Sequence, residues 1–328
     1  MIQPVEMRGT LPMTLHGGAS STTTEVWEML TSSRDGDLDR VMPLIARRPE
    51  LSTCQYNYTP PLHFAVRDGH VPLVRALVAH KALDPHYKTY PFGDSFLTMA
   101  QDRGHEEIAL LLQDALARPE LTRKWAETGA IDYGQDDGQK RFDKAVHAGN
   151  LQDVERHLRN RPELAGNELS SWAEGVLMMP AKGRNRPMLE LLMRFGAQVP
   201  TLSKWGRFYY FVHDDIAAFL LESGMSPRHM SWQQVTLLHD MAQSGDIAKA
   251  RLLLDHGADI NAIDDEYRTT PLGMAARWGQ REMVAFLVER RADLNKAGAA
   301  WSTPLAWAQK KGHVSVANDL MAAGAVGN

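Results

Sequence analysis

The chain has 328 residues, of which 44% are apolar and 23% charged, and its net charge is −4. That length exceeds one ordinary globular core, so several domains or an elongated architecture are expected. The small net charge gives no global reason for a nucleic-acid or membrane partner, and Cys54, the sole cysteine, excludes an intramolecular disulfide and a Cys-rich zinc site.

In chain order, residues 1–22 contain no apolar run of signal-peptide length and are expected to form a disordered tail. A short motif then recurs: Pro60-Pro61-Leu62-His63, Thr236-Leu237-Leu238-His239, Thr270-Pro271-Leu272-Gly273 and Thr303-Pro304-Leu305-Ala306. Each copy runs into a glycine six residues further on, at Gly69, Gly245, Gly279 and Gly312. Adding Gly36, Gly104 and Gly149, with Arg184 and Val212 at the same place in two divergent units, marks about nine units near a 33-residue period. The physics of a unit is local. Threonine caps a helix, proline at the first turn loses no hydrogen bond, and glycine permits the left-handed exit into a second helix.

Between Gly104 and Gly149 the spacing widens to 45 residues, about twelve beyond the period. The surplus falls in 117–139, a polar stretch containing Gly134-Gln135-Asp136-Asp137-Gly138, and reads as an inserted loop or hinge. It would separate a sub-stack at 23–116 from a second at 140–328, with 131–139 as the most protease-sensitive internal segment. Arg-Pro-Glu-Leu recurs at 48–51, 118–121 and 161–164 and ends a helix at its proline.

The recurring motif, followed by Gly257-Ala258-Asp259-Ile260-Asn261 and Arg291-Ala292-Asp293-Leu294-Asn295, resembles the ankyrin repeat in a divergent, bacterial-type form. The resemblance covers residues 23–328, strongly from 232 and weakly over 168–228. It implies an all-α, curved solenoid of about nine stacked helix–turn–helix units with short finger loops. It also implies structural roles for His63 and His239, in the family's histidine slot, and for His70, His105 and His313, which follow the helix-ending glycine. The run Asp264-Asp265-Glu266 would occupy an exposed finger tip, and Cys54 would be a half-buried structural thiol.

In this family the first helix presents residues to a concave groove. By that register Arg207, Tyr210, Asp240, Gln243, Arg277, Trp278, Trp307 and Lys310 would share one neighbourhood, rimmed by the loop aromatics Trp232, Tyr267 and Trp301. Trp, Tyr and Arg are enriched at binding hot spots. The expected function is a cytoplasmic protein-interaction scaffold holding a protein partner or an anionic, aromatic ligand there. No nucleic acid, membrane, metal or cofactor is expected, since no phosphate-loop, dinucleotide, zincin or nucleophile-elbow motif occurs. The alternative is a small-molecule-binding protein or hydrolytic, acid–base enzyme near units 5–7. Its candidates are Asp240, Asp214, His213 and Tyr210, in units that depart from the repeat rules.

Overall fold

The computed structural model describes residues 1–124 and 129–327. Residues 125–128, which fall in the expected insertion, and residue 328 lie outside the described residues. Among the described residues the chain folds as a helical solenoid. Among the described residues, all α-helices except Val5–Arg8 and Ser170–Ala173 fall into nine helix–turn–helix pairs. The chain divides into two compact units, Glu6–Gly134 and Met1–Val5 with Gln135–Asn328.

Glu6–Gly134 holds three pairs: Thr23–Asp35 with Leu38–Arg47, Pro61–Arg67 with Val71–Ala79, and Phe96–Asp102 with Glu106–Leu116. Residues 1–22 are not the disordered tail expected from sequence. Within them, strand Pro12–Thr14 pairs antiparallel with Ser20–Thr22 on one side and with Ala130–Ile131 on the other. Met7, Met13 and Leu15 are buried, and the Tyr56 hydroxyl donates to the buried Glu6 carboxylate at 2.8 Å. The distal insertion is likewise anchored rather than free. Ala130–Ile131 is paired, the Asp132 N–H donates to the Pro12 carbonyl, and helix Asp137–His147 begins shortly after. Cys54 is fully buried, which pushes its thiol pKa up.

The second unit holds six pairs, from Asp137–His147 with Leu151–Asn160 to Pro304–Lys310 with Val314–Ala322. A first helix such as Pro271–Arg277 is two turns long, too short to persist alone. Local signals start it: Thr270 and Thr303 accept the N–H of the residue three positions on, and Pro271 and Pro304 occupy the first turn. Stacking then supplies the stability. First helices pack on first helices in one row and second helices on second helices in another.

A repeated bond ties the rows together. His313 Nε2 meets the Arg277 carbonyl of the preceding unit at 3.0 Å, and His70 and His105 meet the Arg34 and Arg67 carbonyls at 2.7 and 3.2 Å. Gly279 and Gly36 must be glycine for this reason as well as for their φ of +69° and +70°, because a Cβ would strike the His313 or His70 ring. His213 belongs to the same series, meeting the Lys182 carbonyl at 3.1 Å.

His239 bridges neighbouring units inside the core. Its Nδ1 pairs with Thr236 Oγ1 at 2.8 Å, completing a capping box, and its Nε2 meets the Thr269 carbonyl at 3.2 Å. Burial holds its pKa down at about 4, so at neutral pH the nearby Asp264, 3.9 Å away, does not form an ion pair with it. His239→Ala is expected to lower the unfolding free energy by about 2–3 kcal/mol at pH 7 through two lost buried hydrogen bonds. Between its ordinary 6.5 and about 4 the native imidazole binds fewer protons than the unfolded one. Wild-type stability therefore drops as pH falls through that window, and the alanine penalty shrinks. Denaturant titrations at pH 7 and pH 4 check this; a penalty that grows toward acid contradicts it.

Candidate functional site

The residues expected to line a groove mostly form an interface between repeats. Arg277, on helix Pro271–Arg277, is 4% exposed and Trp307, on helix Pro304–Lys310, is 0% exposed. The Arg277 guanidinium lies over three rings: Trp307 at 4.3 Å, Tyr267 at 4.5 Å and Trp278 at 4.8 Å. Edge-to-face contacts join Tyr267 to Trp278 and Trp307, and Trp307 to Trp301. Tyr267 comes from the finger loop and covers the face that helical register alone leaves open. Trp232 is buried too, and its carbonyl accepts the Ile2 N–H at 2.8 Å. Arg277, Trp307 and Trp232 are thus corrected from contact residues to core. The finger beside them is corrected as well: Asp264 and Glu266 are buried, and burial raises the Asp264 pKa to about 7 against backbone N–H bonds from Tyr267, Thr269 and Glu266 that favour its charge.

A half-exposed set remains on the same row. Arg207 donates to Gln243 Oε1 at 3.2 Å and lies 3.7 Å from Asp240 Oδ1. Burial lifts the Asp240 carboxyl to about 6, and Arg207 opposes the rise. Trp278 and Trp301 are partly exposed, and exposed Lys310 sits over Trp301 and Trp307 at 5.6 and 5.2 Å.

The four candidate catalytic residues are engaged separately. Tyr210 is fully buried, its hydroxyl donates to the Glu174 carbonyl, and burial raises its pKa. His213 is the inter-repeat bridge already described. Asp214, in the first turn of Asp214–Glu222, is 3.1 Å from Lys249 Nζ. Asp240 keeps to Arg207. A cavity of about 270 Å³ opens between finger loops, lined by Asn167, Glu168, Gln198 and Thr201 among others. None of the four residues lines it.

Sequence reasoning missed the arrangement at Ser170–Ala173. Ser171, Trp172 and Ala173 are consecutive left-handed residues, with φ of 53°, 60° and 62°. Each costs roughly 1–2 kcal/mol in a non-glycine residue, so the surroundings must impose the turn. Ser170 Oγ donates to Asp143, the Lys204 N–H to buried Glu174, and the Lys204 ammonium to the Trp172 carbonyl at 2.9 Å. Tyr210 is therefore a post beneath this turn, and the turn carries Trp172 out to 55% exposure.

The family model described as "Ankyrin repeats (3 copies)" matches residues 209–298 and 238–328, and that described as "Ankyrin repeat" matches 58–90. The chain is an ankyrin-repeat protein. It is 38% identical over 84 residues to the Palmitoyltransferase Hip14 of Drosophila melanogaster, covering 25% of this chain and 13% of that protein. It is 31% identical over 100 residues to human ARF GTPase-activating protein GIT1, covering 30% and 13%. To human Transient receptor potential cation channel subfamily A member 1 it is 22% identical over 330 residues, covering 85% and 28%. The matches thus span a small part of each relative's length. Ankyrin repeats are protein-interaction scaffolds in general. The Arg277 cluster falls in the matched repeats, whereas the Trp172 turn lies in the divergent repeats outside them. Among the described residues no helix is long and apolar enough to cross a membrane.

Proposed function

We propose that this ankyrin stack is an interaction scaffold whose first-helix row, in the unit containing Gln135–Asn328, receives a protein partner. The observation that supports this reading is a row of polar groups left reachable across successive repeats. They are Arg207, Asp240 and Gln243 at one end and Lys310, with the edges of Trp278 and Trp301, at the other. Buried Arg277, Trp307, Trp232 and Tyr210 act beneath the face and take no direct part. A cationic guanidinium and ammonium beside aromatic edges suit an anionic, partly aromatic peptide segment.

Panning a random peptide library against the protein supplies the probe. Selected peptides are expected to lose about tenfold or more in affinity with Arg207→Glu or Lys310→Glu. The control is Arg281→Glu on the second-helix row, whose exposed pair with Asp319 is worth little. Equal tolerance of all three substitutions would remove the first-helix row from the reading.

A further inference from the structure

On the same row, on the N-terminal side of the Arg207–Lys310 stretch, a second surface stands in the divergent repeats. Lys140, Lys144 and His147 lie at i, i+4 and i+7 on helix Asp137–His147, hence on one face. The His147 ring stacks on the exposed Trp172 ring with centroids 6.0 Å apart. Lys204 is bonded to the Trp172 carbonyl at 2.9 Å. Lys182 continues the line over Tyr209 at 5.6 Å.

The charges of this region are sorted by row. On the second-helix side Arg156, Arg159, Arg184 and Arg186 each have a carboxylate partner at 3.0 Å or less. On the first-helix side Lys140, Lys144 and Lys182 have none among the described residues. Uncompensated cations on the two first helices that flank one exposed indole in sequence, itself held out by a turn of three left-handed residues, form a surface complementary to acid with an apolar anchor.

We propose that the Lys140–Lys144–Lys182 face, together with Trp172, docks an acidic protein segment that carries an aromatic or large aliphatic residue. The lysines draw in the carboxylates and set the on-rate, while Trp172 takes the apolar side chain. A nucleic-acid strand fits less well, because strand-tracking grooves stack successive bases on several aromatic platforms, and here one tryptophan is exposed among the described residues. The proposal rests on the reading that the first-helix row is the binding side, but it places the acidic partner on a different part of that row.

The test uses the whole chain and a fluorescent peptide of glutamates around one phenylalanine. Its controls are the glutamine analogue, the same peptide with alanine for phenylalanine, and a single-stranded RNA. Trp172→Gly removes the ring while keeping a residue at ease at positive φ, and Lys144→Glu and Lys182→Glu reverse charge at exposed positions. Binding of the acidic peptide is expected to weaken with salt. It should fall about tenfold or more in each of these variants and remain unchanged in Arg281→Glu on the second-helix row. Loss in Lys310→Glu and in none of these three would overturn this proposal while leaving the broader reading intact, and loss in no first-helix variant would overturn both. RNA binding that ignores Trp172→Gly would also overturn it, by making the face a general polyanion surface.

Discussion

Trp307→Ala is expected to lower stability by about 3–5 kcal/mol, the cost of emptying a large buried aromatic site. Trp307 is fully buried where helix Pro304–Lys310 packs on helix Pro271–Arg277. It contacts Arg277, Tyr267, Trp301 and Lys310. Its indole N–H makes no hydrogen bond among the described residues, so the loss is one of packing, and Trp307→Phe should recover much of it. In a solenoid each repeat is held by its neighbours. The repeat formed by Pro304–Lys310 and Val314–Ala322, which this seam joins to its neighbour, should open first. Hydrogen exchange on helix Val314–Ala322 checks this: its protection should collapse while Thr23–Asp35 keeps its own. An alanine variant that melts like the wild type would show that Trp307 is not the seam between these repeats.

Arg277→Glu is expected to be as damaging, at about 3–5 kcal/mol, because it buries an uncompensated negative charge. The guanidinium faces three rings whose negative faces attract a cation and repel a carboxylate. Arg277→Met should be milder, since the thioether can occupy the same aromatic slot without burying a negative charge. The order wild type, Met, Glu in denaturant midpoint follows from an interior site. If Arg277 instead served a ligand at the surface, both variants would fold as wild type.

The repeat pairs were legible because their signals are local. A threonine, a proline two turns before a glycine, and the histidine after that glycine each act within one unit or on its neighbour, and the structure uses them that way. Helical register puts Arg207, Asp240 and Gln243 on one face, and Arg207 lies 3.2 Å from Gln243 Oε1 and 3.7 Å from Asp240 Oδ1. What register cannot report is whether a finger loop closes over the face it defines, and Tyr267 does so over Arg277. The same non-local covering buries Asp264 and Glu266, two carboxylates that composition alone assigns to solvent. The strand at Pro12–Thr14 was hidden because its partner Ala130–Ile131 lies more than a hundred residues away, although apolar Met7, Met13 and Leu15 were in view. The Trp172 turn had the weakest signal, because Ser171, Trp172 and Ala173 take left-handed conformations without a glycine among them.

The division between a closed aromatic seam and an open aromatic anchor is the core of this account. One measurement reaches it directly: indole N–H exchange with solvent, resolved for each tryptophan by NMR after single Trp→Phe assignments. Trp307 and Trp232 are buried and Trp172 is 55% exposed. The indole protons of Trp307 and Trp232 should therefore exchange only through opening of the repeats, whereas that of Trp172 should exchange at nearly the rate of a free indole. A Trp307 proton that exchanges as fast as that of Trp172 would contradict the account and restore the open groove.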